Sequence, residues 1–318
     1  MKIRPTVEVN RFDFLGDFLI KEVYDLKYDP EAGTFWVTES AQQMVFEVAP
    51  GTFEVLTAIG PLAAKPQKLD FGPDGNLYVS TLSGTVEVFG RKGAPVRTIT
   101  MVKPPLDKPE TAAIWAGMPA ATKGYGSTGG DVLCLENELW VTDQRFAVIE
   151  VFNYSGKLLR YIWEYTQKGG KTARFSPVGE LERLPDGKFL LAFPLTHYAV
   201  VVDADLKEVF TIGKRTAGFI GGFIGIHGIA LLPEGDLLLT DPGVNTMQVF
   251  SSKDGSYLYH FGGPDATEDP GQPGRPFLDI GGIAFAQLDR KGDLYLYAGN
   301  EKAFVQRKVT GDPVEPKK

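Results

Sequence analysis

An all-β repeat fold is predicted by three observations on this 318-residue chain. One pattern recurs along it, a Pro/Gly turn followed by an alternating apolar run. It is clearest in Pro73-Asp74-Gly75-Asn76-Leu77-Tyr78-Val79-Ser80, Pro185-Asp186-Gly187-Lys188-Phe189-Leu190-Leu191-Ala192 and Pro233-Glu234-Gly235-Asp236-Leu237-Leu238-Leu239-Thr240. Weaker copies stand at residues 31–38, 137–142 and 290–297, which makes six. Each copy is flanked by further short apolar runs, such as Gly228-Ile229-Ala230-Leu231-Leu232 before it and Thr246-Met247-Gln248-Val249-Phe250 after it, so one unit holds four strands. Finally, residues 109–121 alone approach the i, i+3, i+4, i+7 spacing of an amphipathic helix.

The elements follow from local chemistry. Asp-Gly and Glu-Gly pairs supply the positive φ of a tight hairpin turn, and β-branched and aromatic residues fill the strands between them. Four antiparallel strands recurring about every 45 residues cannot cover both faces of a lone sheet, so the units must stack in a ring as propeller blades. Inner strands counted from Tyr24, Lys68, Asp131, Glu180, Gly228 and Gly282 predict a six-bladed β-propeller of four-stranded antiparallel blades. The last blade has only three strands before the tail at 311–318. Residues 7–16, whose Val7-Glu8-Val9-Asn10-Arg11-Phe12 run reads like an outer strand, supply the fourth and close the ring. The expectation is one domain over 1–318.

Composition bounds the function. Hydrophobic residues at 43% and charged residues at 23% are globular values, so a packed core is expected. No run approaches the ~18 apolar residues that cross a bilayer. A net charge of -7, with no basic block, lacks the field that nucleic-acid binding requires. One cysteine, Cys134, excludes an intrachain disulfide and a Cys-rich zinc site, and its place between Leu133 and Leu135 reads as a core thiol. The N-terminus has charge but no apolar signal core. The compartment stays open: periplasmic or extracellular for a mature chain without its signal peptide, otherwise cytoplasmic.

The connections from outer to next inner strand share one rim with those joining second and third strands. They are long at 103–128, 164–177, 214–226 and 264–280, whereas the other rim has tight turns. The elaborated rim is therefore the expected working face. Trp115, Phe219 and Phe223 place large apolar groups in it, and Tyr198 adds a fourth aromatic. These side chains either pack over the channel or anchor a partner. Arg145, Asn245 and His197 fall in second-to-third-strand connections and aim polar groups at the same rim.

The inner strands carry charge in half the ring. Asp25 and Lys27, Lys68 and Asp70, and Glu180 and Glu182 stand where the fifth blade has Gly228 and Ala230. Mixed signs make a wet tunnel of compensating ion pairs. The same positions also permit a cluster of Asp25, Glu180 and Glu182 holding one divalent cation, Ca²⁺ or Mg²⁺, in the central channel. His197 and His227 lie on the elaborated rim, and either one beside Glu180 would make an acid/base or metal site. His260 reads as a packing residue. No nucleophile elbow or phosphate-binding Gly-rich loop occurs.

The unit GIALLPEGDLLLTDPGVNTMQVFSSKDGSYLYHFGG, residues 228–263, resembles an NHL repeat, and nearly the whole chain is similar to the six-bladed NHL-type propellers. That resemblance implies the fold. Its functions range over scaffold and binding proteins, calcium-dependent lactonases, strictosidine-synthase-like proteins, streptogramin-type lyases and peptide-amidating lyases. The lactonase and lyase types would call for acidic, Asn or His residues on several inner strands; His227-Gly228-Ile229 resembles the start of a lyase pattern, and Gly281 has no such residue beside it. The leading expectation is a non-enzymatic NHL-like propeller that binds a protein or peptide on its loop face. The alternative is a metal-assisted hydrolase or lyase acting on a small ester, lactone or peptide-like substrate at the channel mouth.

Overall fold

The computed structural model describes residues 6–12, 14–15, 17–105, 126–213, 221–243, 246–262, 285–288, 293–299 and 304–312. They form an all-β propeller of four-stranded antiparallel sheets. Numbered as blades from the first complete one, their inner strands are Val23–Asp29 in blade 1, Pro66–Phe71 in blade 2 and Gly129–Cys134 in blade 3. Blades 4 and 5 begin with Glu180–Arg183 and Gly228–Leu231, and Phe285–Leu288 is the inner strand of a sixth sheet. Each inner strand lies against its neighbours in this order, and Phe285–Leu288 returns to Val23–Asp29, so the ring is closed.

The sixth sheet is completed from the other end of the chain. Thr6–Phe12 pairs antiparallel with Phe304–Val309, from Thr6 opposite Val309 to Phe12 opposite Phe304. The closing strand ends at Phe12, earlier than the sequence pattern suggests. Phe14–Leu15 turns back on Phe18–Leu19 as a small hairpin, and Leu15 drops into the core beside Phe46. The connection entering blade 4 likewise contains a hairpin, Glu164–Thr166 with Thr172–Arg174, and its Tyr165 and Phe175 are buried. The expected helical stretch at 109–121 lies outside the described residues.

Burial explains the strand compositions. The second strands, such as Thr34–Glu39 and Leu139–Asp143, are buried along their whole length, with an apolar middle that ends in the buried polar pairs Thr38-Glu39 and Thr142-Asp143. The outer strand Pro95–Thr100 is half solvated and alternates with polar residues. The core is distributed between successive blades: Trp36, Val45 and Ile59 of blade 1 pack on Leu69, Leu77 and Val79 of blade 2, and Trp140 of blade 3 stacks on Phe189 of blade 4 at 4.7 Å. Gly75, Gly187 and Gly235 sit at φ of 76°, 84° and 90° in the tight turns of the short rim, a conformation that penalises a Cβ. A Cβ on Gly129 would lie 2.5 Å from the Thr81 carbonyl, so glycine lets blade 3 approach blade 2.

Candidate functional site

The inner strands are bulged near their starts, between Val23 and Asp25, Pro66 and Leu69, and Gly129 and Val132. Each inner strand is the edge of its sheet, so alternate backbone N–H groups have no ladder partner, and acidic side chains of the preceding blade take them up. Leu69 N–H donates to Asp25 Oδ2 (2.8 Å), Cys134 N–H to Asp70 Oδ2 (2.8 Å) and Leu181 N–H to Asp131 Oδ2 (2.6 Å). Hydroxyls of the second strands add a parallel set: Thr38 donates to the Gln67 carbonyl and Ser80 to that of Gly130. Charge-assisted bonds of this kind contribute about 1.5–3 kcal/mol each, so these channel acids join one blade to the next.

The remaining channel charge is paired across the ring. Lys68 Nζ lies 2.7 Å from Glu180 Oε1, 2.8 Å from Glu180 Oε2 and 3.6 Å from Asp25 Oδ1. Lys27 Nζ lies 3.4 Å from Glu182 and 3.7 Å from Asp70. Burial works against charge on Lys68, but Glu180 and Asp25 outweigh it and hold the ammonium well above its ordinary range. Burial pushes Glu180 up in spite of Lys68. It brings Asp131 to about 7, with Lys68 opposing the rise. The channel encloses a cavity of about 220 Å³ lined by these groups and by Gly228, Ile229 and Ala230.

Asp25, Glu180 and Glu182, the expected cation ligands, do not all meet at one point. Glu180 and Asp25 turn to Lys68, and Glu182 turns to Lys27. The ammonium groups occupy the place a divalent ion would need, and the described residues contain no group of three or more His, Cys, Asp or Glu placed to hold one. This donor set does not fit a metal centre. Asp131, not singled out by charge alone, completes the group: Asp131-Val132 repeats the acid-then-apolar step of Asp25-Leu26, which is the signal that finds it.

A second cavity, of about 280 Å³, opens at the channel mouth on the elaborated rim. Tyr24, Gln144, Pro177, Pro194, Leu195 and His227 line it, with Glu180 at its floor. Lys68 Nζ sits 5.8 Å from the centre of the Tyr24 ring, a cation–π contact behind this floor. Desolvation and the Lys68 charge hold the His227 imidazole below its ordinary range, so it is neutral at pH 7 and can accept a proton.

The other expected site residues scatter. His197 lines neither cavity; it closes the turn after Phe193 at a φ of 66°, its N–H donating to the Phe193 carbonyl. Arg145 is half-buried in the turn capped by Asp143 and lines neither cavity. Tyr198 is also half-buried, 5.0 Å from the Phe193 ring, with its hydroxyl 3.5 Å from that of Tyr165. Phe223 is a correction: it is 1% exposed and packs on Phe250 in the core between blades 4 and 5, so it is no surface anchor. Trp115, Phe219 and Asn245 lie outside the described residues. Cys134 is half-buried against the core, and burial together with Asp70 pushes its thiol well up, as an inert thiol requires.

No protein-family model matches the chain, and no curated protein matches it in sequence. Its fold is shared with the WD40 β-propeller domain of Doa1, at a TM-score of 0.56 and 12% identity over 96% of both chains. It is also shared with streptogramin B lyase, at a TM-score of 0.62 and 10% identity over 95% of this chain and 97% of that one. At these identities the likeness establishes the propeller and nothing about activity.

Proposed function

We propose that the chain is a six-bladed NHL-type propeller, one domain, that works as a binding scaffold and engages a protein or peptide through its loop face. The observation that carries this is the placement of exposed apolar groups. Among the described residues, Phe14, Phe18, Leu19, Leu82, Val102, Leu195 and Ile224 all lie on connections of that rim. The other exposed large apolar residues, Leu56, Val96 and Leu159, lie on outer strands, so none is on the rim of tight turns. Leu195 is 68% exposed beside the channel mouth. One-sided apolar exposure marks an interaction face. The ion-paired channel fits a scaffold, because its charges already serve to join blades.

The test compares the protein with Leu82→Asp/Leu195→Asp and with a control on the opposite rim, Lys188→Glu. All three should melt alike. A partner bound by the protein and the control, identified by mass spectrometry and reconstituted from purified components, should lose at least tenfold in affinity with the loop-face variant, the loss of two apolar contacts being worth about 1.4 kcal/mol or more. Equal affinity for all three would reject the loop face.

A second reading, a hydrolase or lyase acting on a small ester, lactone or peptide-like substrate, draws on His227 and Glu180 lining one cavity. Lys68 already holds Glu180, so proton transfer would rest on the His227 imidazole. Turnover of such a substrate that is abolished in His227→Ala would favour this reading over the scaffold.

A further inference from the structure

In four blades the midpoint of the third strand holds the connection by which the chain enters that blade. In blade 1, Phe46 lies 5.1 Å from Phe18, centroid to centroid. In blade 4, Val200 packs with Tyr165, Phe175 and Val178. In blade 5, Gln248 Oε1 accepts from Gly221 N–H at 2.7 Å and its Nε2 donates to the Gly222 carbonyl at 2.8 Å. In blade 3 the residue is Glu150, fully buried, which accepts from Val102 N–H at 2.7 Å and from the Ser127 hydroxyl at 3.5 Å. Two of these positions are apolar and one is a neutral amide; here an ionisable acid stands instead.

A second difference falls at the same spot. The residue ending the second strand caps the following turn. In blade 5, both oxygens of Asp241 are used: Ile224 N–H donates to Oδ2 (2.8 Å), and Gly225 and Gly243 N–H donate to Oδ1 (3.2 and 3.0 Å). In blade 3, Thr128, Arg145 and Phe146 N–H all donate to Asp143 Oδ1 (3.3, 2.9 and 3.2 Å). Asp143 Oδ2 is buried with no aligned hydrogen-bond partner, and the Ser127 hydroxyl stands close enough to Asp143 to favour its charged form. The Thr128 hydroxyl is buried and unpartnered as well.

Asp143 lies opposite Val148 and Val141 opposite Glu150, which sets the two acids diagonally on one face of blade 3. Where blade 5 supplies an amide and an extra N–H, blade 3 thus gathers two carboxyl groups and two hydroxyls. Among the described residues neither acid is in a salt bridge. Burial, reinforced by the neighbouring Asp143, brings Glu150 to about 8, and burial raises Asp143.

We propose that Glu150, Asp143, Ser127 and Thr128 form a site for a hard divalent cation, of the Ca²⁺ or Mg²⁺ type, between blades 2 and 3 beneath the loop face. All four supply oxygen, the ligand these ions select, and the two carboxylates balance the charge of one such ion. Asp143 Oδ2 gains an aligned partner on binding. Through Ser127 and Glu150 the ion fixes the roots of the connection entering blade 3, at Val102 and Ser127. The site is separate from the central channel and independent of the scaffold reading.

The test is thermal melting of the full chain after chelation, with Ca²⁺ and Mg²⁺ added separately at about 0.1 to 10 mM, a range that brackets millimolar-class sites. The melting temperature should rise with one or both ions. Glu150→Gln, which copies Gln248 and keeps the acceptor for Val102 N–H, should weaken the apparent affinity at least tenfold while melting normally without metal. Ser127→Ala gives the same reading should Glu150→Gln fail to fold. A melt unresponsive to both ions would overturn the site. So would a response unchanged in the variants, which places the ion elsewhere.

Discussion

Replacing Lys68 by Met is the sharpest perturbation of the channel. The Lys68 side chain is 5% exposed, and its ammonium sits within 2.8 Å of both Glu180 oxygens and 3.6 Å from Asp25. Among the described residues the channel acids Asp25, Asp70, Asp131, Glu180 and Glu182 outnumber the lysines, Lys27 and Lys68, so no second lysine there can turn to Glu180 without abandoning Glu182. Met fills the volume of the lysine stem and leaves the acids uncompensated. Removing one partner of a buried pair costs about 3–5 kcal/mol, whereas replacing both by apolar groups of similar size is often close to neutral. Lys68→Met should therefore lower unfolding free energy by about 3–5 kcal/mol in urea titrations with unchanged m-value, and Lys68→Met/Glu180→Met should recover most of that loss. A single variant within about 1 kcal/mol of the parent, or a double variant no better than the single, would show that Lys68 does not neutralise this cluster.

Three further outcomes follow. Asp131 has a folded pKa of about 7, above its unfolded value, so its contribution is fully present below the unfolded pKa and is lost as pH rises to about 7. Asp131→Asn should flatten the fall in stability between about pH 4 and 7 by no more than about 4 kcal/mol, and identical profiles for the two proteins would refute the burial argument. Phe223→Ala should cost about 3–5 kcal/mol, since it empties a core site against Phe250; a loss under about 1 kcal/mol in the same urea titration would return Phe223 to the surface. Deleting residues 1–12 exposes the edge of Phe304–Val309 and should replace one cooperative melt with a broad transition or aggregation, whereas an unchanged melt by both circular dichroism and fluorescence would mean that Thr6–Phe12 does not close the ring.

The repeat was legible along the chain because its causes are local. A turn such as Pro185-Asp186-Gly187 needs its glycine whatever surrounds it, and strand alternation records burial two residues at a time. The pairing of channel charges was partly legible, since aligning blades on those turns brings Asp25, Lys68 and Glu180 to one height. Asp131 was missed although Asp131-Val132 carries the same step. Which lysine meets which acid was beyond reach, because Lys68 and Glu180 are 112 residues apart and meet only once the ring curls.

The sequence by itself determined the four-stranded unit, its repetition, and closure by an N-terminal strand, all properties of backbone preference and local hydrophobic pattern. Only the tertiary structure decided which side chains of the connections face water. Phe223 and Leu195 are both large apolar residues on the same rim, yet one is buried against blade 5 and the other stands at the channel mouth. His197 and His227 share that rim too, but a left-handed turn carries the first away from the cavity that the second lines. Burial and orientation depend on the neighbouring blade, and that neighbour exists only after the ring has closed.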